Sequence, residues 1–342
     1  MRPETEDDLS QLIRSASAPL SPIGGGTRLN PGEGQGERLN VSGLRGVVLY
    51  EPAALTLVVR AGTPLAEVQA ALAAEGQMLA FEPDARPRST IGGVVAANAS
   101  GPRRVQAGAC RDALLGVRYV NGQGEIVKNG GRVMKNVTGY DLVKLMAGSR
   151  GRLGVLTEVA LKTAPIPPCV ATLALPGLDA AGSVAALTTA LTGPYDVSGA
   201  AWFPGQGALI RIEGLEGSVA IRRRALTEKL AGFGEVAEGD GASWSRMVPT
   251  APEGDLWRII CRPSEAPVLL ATLPQPLAVD WGGSLIWVAL PAGEVPALPK
   301  WSGHAIRVSG AAALTLPLPD PVVARLNASL SERFDPRRIF AS

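Results

Sequence analysis

Pro22-Ile23-Gly24-Gly25-Gly26-Thr27-Arg28-Leu29 and, further on, Thr90-Ile91-Gly92-Gly93-Val94-Val95-Ala96-Ala97-Asn98-Ala99-Ser100-Gly101 decide how this chain is read. Backbone without Cβ atoms can turn its N–H groups inward and come close to a diphosphate. A third run follows, Ala147-Gly148-Ser149-Arg150-Gly151-Arg152-Leu153-Gly154-Val155-Leu156-Thr157-Glu158. One such loop is an ordinary surface turn. Three of them, set beside apolar residues, point to one long anionic ligand gripped at several places, which is the shape of a dinucleotide. Two familiar nucleotide sites fail on spacing. No Gly-Lys-Ser/Thr occurs, which excludes a P-loop. Gly24-Gly25-Gly26-Thr27 lacks the last glycine of a Gly-x-Gly-x-x-Gly turn, and no strand precedes the second run.

The length of 342 residues allows two domains with sizeable cores. A formal net charge of +2 gives no electrostatic case for nucleic acid, and Arg222-Arg223-Arg224 reads as a solvated helix face. No apolar run is long enough to span a bilayer. Glu4, Glu6, Asp7 and Asp8 make the N-terminus unlike a signal peptide. A cytoplasmic location is therefore expected. Cys110, Cys169 and Cys261 are scattered and form no CxxC pair, which argues against disulfides and against an iron–sulfur cluster held by this chain. His304 is the one histidine, too little for the usual catalytic metal sets, so no metal is expected.

Along the chain, a helix is predicted over 5–16, opened by Thr5 with Asp8 three residues on. Strands follow over 47–50 and 55–60. A helix begins with Thr63 as N-cap and Pro64 as its first residue. A hairpin spans 114–128 around Asn121-Gly122-Gln123-Gly124, and a further strand covers 155–163. Pro165-Ile166-Pro167-Pro168 is the clearest break. The predicted organisation is a first domain over 1–168, a second over 169–330 and a tail over 331–342 packing back on the first. In the second half, strands are read at 208–213, 256–261 and 284–290, with helices at 218–233 and 321–334. No internal repeat is visible. The fold class is α+β.

The first two runs, Arg111-Asp112 with Leu115-Gly116-Val117-Arg118-Tyr119-Val120-Asn121-Gly122-Gln123-Gly124, Lys135-Asn136-Val137-Thr138-Gly139-Tyr140-Asp141-Leu142, and Gly148 to Glu158 together resemble the vanillyl-alcohol-oxidase, or PCMH-type, FAD-binding family. The likeness covers most of residues 20–168. In the second half, Leu256-Trp257-Arg258-Ile259, Asp280-Trp281-Gly282-Gly283-Ser284-Leu285-Ile286-Trp287 and Gly303-His304-Ala305 resemble the FAD-binding E subunits of bacterial glycolate oxidases. The resemblance implies a PCMH-type FAD domain followed by a smaller α+β cap domain. It implies FAD contact by Ile23, Gly24, Gly25, Gly26, Thr27, Arg28, Leu29, Pro83, Thr90, Ile91, Gly92, Gly93, Ala96, Asn98, Gly101, Arg111, Asp112, Gly154, Val155 and Thr157.

For Arg111 and Asp112 a structural ion pair is nearly as good a reading. Lys135 and Tyr140 are placed equally well at the flavin edge or in solvent and packing. The first loop carries no histidine, so non-covalent FAD is expected, with Cys110 a remote alternative attachment. His304 and Arg307, three residues apart, are the candidate base and carboxylate clamp, although a lone histidine is more often structural. The resemblance further implies a catalytic D-type FAD subunit and an iron–sulfur subunit as partners. Together they would oxidise glycolate to glyoxylate and pass electrons onward, with the complex at the inner face of the membrane. Two rivals remain: a flavin subunit without redox turnover, and a stand-alone flavoenzyme such as a D-lactate-type 2-hydroxy-acid dehydrogenase or a UDP-sugar reductase.

Overall fold

The computed structural model describes residues 1–132, 139–249 and 253–340, which form two compact units. The first takes Met1–Ser100, Gly108–Ile166 and the chain from Pro319 on; the second takes Gly101–Ala107 and Pro167–Leu318. The break falls inside the proline cluster. Two segments depart from the expected boundaries: 101–107 belongs to the second unit, and the helix Pro321–Phe334 belongs wholly to the first.

In the first unit the strands are β1 (Leu20–Ile23), β2 (Glu37–Asn40), β3 (Val47–Glu51), β4 (Thr56–Arg60), β5 (Gln77–Met78), β6 (Leu114–Val120), β7 (Ile126–Gly130), β8 (Val155–Lys162) and β9 (Ala164–Pro165). An antiparallel sheet runs β3-β4-β8-β6-β7. Its middle strands are apolar on both faces, and Leu57, Val59, Val117, Val159 and Leu161 are buried in one core. Helix α1 (Glu6–Ser15) opens with the expected capping box, Thr5 with Asp8, and turns Leu9 and Ile13 inward. Helix α2 (Leu65–Ala73) starts one residue later than expected. Thr63 does not cap it; its hydroxyl donates to Arg60 O and accepts from Gly46 N. The segment after the last helix is structural. Phe334 packs on Tyr119 at 6.3 Å between ring centroids. Ile339 and Phe340 are buried with Leu9, Ile13 and Leu20, and Leu20 N donates to Ile339 O at 2.6 Å.

These elements bring the glycine runs together. β1 pairs in parallel with β2, Leu20↔Glu37 to Ile23↔Asn40, and the first run leaves its end. The second run enters helix α3 (Ile91–Ala96), capped by Thr90, whose Oγ1 accepts from Gly93 N. Gly92 lets this helix sit on the end of β4, since a Cβ there would lie 2.7 Å from Ala61 O. The third run passes Gly154, at φ 152°, straight into β8.

The second unit is one nine-stranded antiparallel sheet. Its strands are β10 (Cys169–Leu175), β11 (Val197–Phe203), β12 (Gly207–Gly214), β13 (Ala237–Glu238), β14 (Asp255–Ile260), β15 (Ala278–Asp280), β16 (Leu285–Leu290), β17 (His304–Arg307) and β18 (Thr315–Leu316). The order is β13-β10-β12-β11-β15-β16-β14-β17-β18. Read from the β11·β15 seam outward, β11-β12-β10-β13 and β15-β16-β14-β17 are the same arrangement. In each half a helix, Ala180–Leu191 or Ala266–Leu270, joins the first strand to the second. A repeat is therefore present, contrary to the sequence reading. It lies in topology alone, because an alanine-rich helix in one half answers a short proline-containing helix in the other. The segment 101–107 is bound to this unit by Arg103 Nη2, which donates to Glu213 Oε1 at 2.7 Å. Trp281 Nε1 also donates to Gly101 O at 3.0 Å.

Candidate cofactor site

The three runs enclose a cleft of about 690 Å³, counting its open mouth, within the first unit. Of the residues read from the sequence, Ile23, Gly24, Gly25, Gly26, Thr27, Arg28, Leu29, Thr90, Gly92, Gly93, Ala96, Gly154 and Val155 line it. Pro22, Val41, Ala61, Ala97, Arg150, Gly151 and Leu156 complete the wall. Among the lining residues only Arg28 and Arg150 are charged.

The glycines are not alike. A Cβ on Gly24 would strike Thr90 Oγ1, and one on Gly25 would strike the Arg88 carbonyl. Both are glycines because the first loop packs on the second run and on the chain before it. Gly26, at φ 69°, has nothing within 4 Å of its Cβ position, and Gly93 has only Thr90 Oγ1, at 3.3 Å. These two face the open cleft.

The first loop is polarised. Three of its carbonyls are turned to arginines: Gly25 O accepts from Arg88 Nη2 at 3.2 Å, Thr27 O from Arg86 Nη1 at 2.7 Å, and Arg28 O from Arg150 Nη2 at 2.7 Å. The amides of Gly24, Gly25, Gly26 and Thr27 donate to no described residue. Two carboxylates anchor the arginines. Asp84 pairs with Arg28 and Arg86, and Glu33 with Arg150 and, at 3.5 Å, Arg152. Burial pushes both carboxyls up, but the facing guanidiniums outweigh it and hold Asp84 and Glu33 below the ordinary carboxylate range. Arg28 spends both terminal nitrogens on Asp84. Its Nε is buried with no hydrogen-bond partner among the described residues.

A loop with free amides, open Cβ positions and a buried cationic donor fits a diphosphate. Asp84, Arg86, Arg88 and Glu33 escaped the sequence reading. The alternation Asp84-Ala85-Arg86-Pro87-Arg88 was the signal available, but nothing in it says which backbone those side chains reach.

Other expected contacts lie elsewhere. Ile91 is wholly inside the core, and Pro83 is buried off the cleft wall. Thr157 is buried, with its hydroxyl on Glu6. Gly101 belongs to the second unit. Asn98, at φ 47°, accepts Arg111 N on its Oδ1 at 3.0 Å, and Asp112 accepts Ala109 N at 2.8 Å. Arg111 and Asp112, 3.8 Å apart, thus shape the turn into β6. Cys110 is buried and its thiol is pushed up to about 12 by that burial, which leaves no thiolate for attachment. Tyr140 is exposed, and Lys135 lies outside the described residues.

The pair His304 and Arg307 does not converge. Both lie on β17, where residues three apart point to opposite faces. Arg307 is buried, with Nε 3.0 Å from Asp255 Oδ2 and its other nitrogens on the carbonyls of Ala312, Gly293 and Glu294. It is spoken for as a structural cation. Burial, and then the charge of Arg258, hold His304 below its usual pKa and so neutral.

Residues 1–130 match a family described as FAD binding domain. The chain is 38% identical over 314 residues to the glycolate oxidase subunit GlcE of Escherichia coli (strain K12), covering 89% of this chain and 86% of that one. The chain belongs to the glycolate oxidase subunit GlcE family. Its cofactor is FAD, and its class is that of the FAD-dependent oxidoreductases. The glycolate oxidase subunit GlcD of Bacillus subtilis (strain 168) is 33% identical over 178 residues, half of this chain and 38% of that protein. The likeness to GlcD is thus confined to a part, whereas GlcE is matched nearly end to end. Both relatives are named as subunits of a glycolate oxidase. A solved alkyldihydroxyacetonephosphate synthase covers 99% of this chain and 76% of its own, with a TM-score of 0.74 at 16% identity, and so shares the fold. Among the described residues no helix is long and apolar enough to cross a membrane, and no cluster of His, Cys, Asp and Glu could hold a metal.

Proposed function

We propose that this chain is the FAD-carrying E-type subunit of a multi-subunit glycolate dehydrogenase. The complex oxidises glycolate to glyoxylate with a D-type FAD subunit and an iron–sulfur subunit, at the cytoplasmic face of the membrane. The observation that carries the reading is the near end-to-end match to GlcE at 38% identity.

When bound, FAD supplies the two-electron redox chemistry. The chain's own residues do the rest. The amides of Gly24, Gly25, Gly26 and Thr27 would hold the diphosphate, Arg28 Nε would be the charged donor toward it, and Gly93 would leave room for its close approach. Val41, Val155 and Leu156 shed water from the cleft wall. No carboxylate, histidine or thiol lines that wall, so it offers no base for the substrate hydroxyl. This favours substrate oxidation on the D-type partner. Binding is non-covalent, since neither a histidine nor a reactive cysteine reaches the cleft.

Three measurements test the reading. Acid precipitation of the purified chain should leave the flavin in the supernatant; colour in the pellet would contradict non-covalent binding. Dye-linked glycolate oxidation should be negligible with the flavin-loaded chain alone and present in the reconstituted complex. Equal rates would make this a stand-alone enzyme. Redox titration of its flavin inside the complex separates an electron carrier from a subunit whose flavin never turns over.

A further inference from the structure

We propose that Arg88 and Arg150, the latter held by Glu33, are positioning residues that fix the first glycine loop in its amide-inward form before FAD arrives. The inference rests on the FAD reading above and concerns two residues whose guanidiniums end on the loop's carbonyls, Arg150 from the cleft wall and Arg88 from outside it. A peptide loop of Gly24-Gly25-Gly26-Thr27 has many conformations of similar energy, and ordering it on binding would weaken affinity. Here three carbonyls of the loop are tied to guanidiniums: Gly25 O to Arg88, Thr27 O to Arg86, Arg28 O to Arg150.

The backbone supplies an independent sign. Arg88 and Arg150 both sit at positive φ, 62° and 55°. A residue with a Cβ is strained there, and glycine would relieve the strain. Strain of this kind persists where the surroundings over-determine it. What the two residues share is one long cationic side chain ending on a carbonyl of the same loop. Arg150 is fixed further, with Nε 2.7 Å from Glu33 Oε1 and a second bond from Nη2 to the same carboxylate. Glu33 also accepts Asn30 N at 2.8 Å, so the carboxylate belongs to the turn that returns the chain to β2.

The test uses the full chain stripped of flavin, with Arg150→Asn and Arg88→Asn; asparagine tolerates positive φ but cannot reach the carbonyls. FAD binding is followed by stopped-flow quenching of flavin fluorescence, and apo melting by circular dichroism. If the loop is preset, the dissociation constant rises about ten- to hundredfold for Arg150→Asn, as for a lost charged hydrogen bond. The loss falls mainly on the association rate, because only a fraction of the loop is competent. Apo melting stays within a few degrees, and Arg150→Lys recovers part of the affinity. Arg88→Asn, at an exposed side chain with a single bond to the loop, shows the same pattern more weakly. Unchanged binding in both variants, or a loss confined to the dissociation rate, or a loss explained by a collapsed apo fold, overturns the proposal. If the unmodified chain binds no FAD, it is the functional reading that fails instead.

Discussion

The two units use arginine in opposite ways. In the first, Arg86, Arg88 and Arg150 spend hydrogen bonds on loop carbonyls and leave the amides of that loop over for a ligand. In the second, Arg103 is buried against Glu213, and Arg307 against Asp255 and three carbonyls. Both arrangements satisfy charge with charge. What separates a binding site from a brace is the backbone the ion pair releases, and that is set by the loop rather than by the arginine.

The largest test of this contrast is at the glycines. Gly93→Val should weaken FAD binding at least about a hundredfold, on the order of 3 kcal/mol, because a branched side chain would fill the open face of the cleft. The apo unit should still fold, since only Thr90 Oγ1 stands near that position. Gly25→Val should also lose FAD, but by collision with the Arg88 carbonyl, and so with new protease cuts in the two contacting loops. Flavin absorbance with limited proteolysis separates the two. Equal flavin occupancy in Gly93→Val would end the claim that this face meets the cofactor.

Next in size is the brace. Glu213→Ala removes the buried carboxylate that faces both Arg103 and Arg211 and should cost the second unit about 3–5 kcal/mol in denaturant unfolding while leaving FAD affinity as it was. A change in affinity without a change in stability would blur the contrast between the units.

Smaller effects come with pH. Unfolded histidine takes up a proton as pH falls through about 6.5, whereas His304 in the fold resists it, so the second unit should lose stability below that point. His304→Gln should flatten this part of the unfolding-against-pH curve, and dye-linked turnover of the complex should change little. The carboxyls of Asp84 and Glu33 act in a lower window. Their folded pKa values lie below the unfolded ones, so the stability they add is present above about 4.5 and fades as pH falls further. FAD should be released across that second window, and Glu33→Gln should raise the pH at which fluorescence reports release.

What the sequence made legible follows from what is local. The three glycine runs, the Thr5–Asp8 capping box and the apolar strands β4, β6 and β8 announce themselves in consecutive residues. The arginine bonds to the first loop do not, because Arg150 and Glu33 meet only once the chain has folded between them. β2, Glu37-Arg38-Leu39-Asn40, has one apolar residue and takes its strand character from β1 alone. β11, Val197-Ser198-Gly199-Ala200-Ala201-Trp202-Phe203, is buried throughout and so has no alternation to read. The sequence offered His304 and Arg307 as a base and a carboxylate clamp; hydrogen bonding of β17 to β14 makes their segment a strand and puts them on opposite faces.

The burial of Ile339 and Phe340 against Leu9, Ile13 and Leu20 sets an order of events during synthesis. The second unit needs nothing encoded after Leu318, whereas the first cannot close over its core until the chain from Pro319 on has left the ribosome. A nascent chain arrested so that residue 318 has just emerged should therefore protect the second unit from protease and leave the first open. The unit whose message is read first is thus the last to be finished.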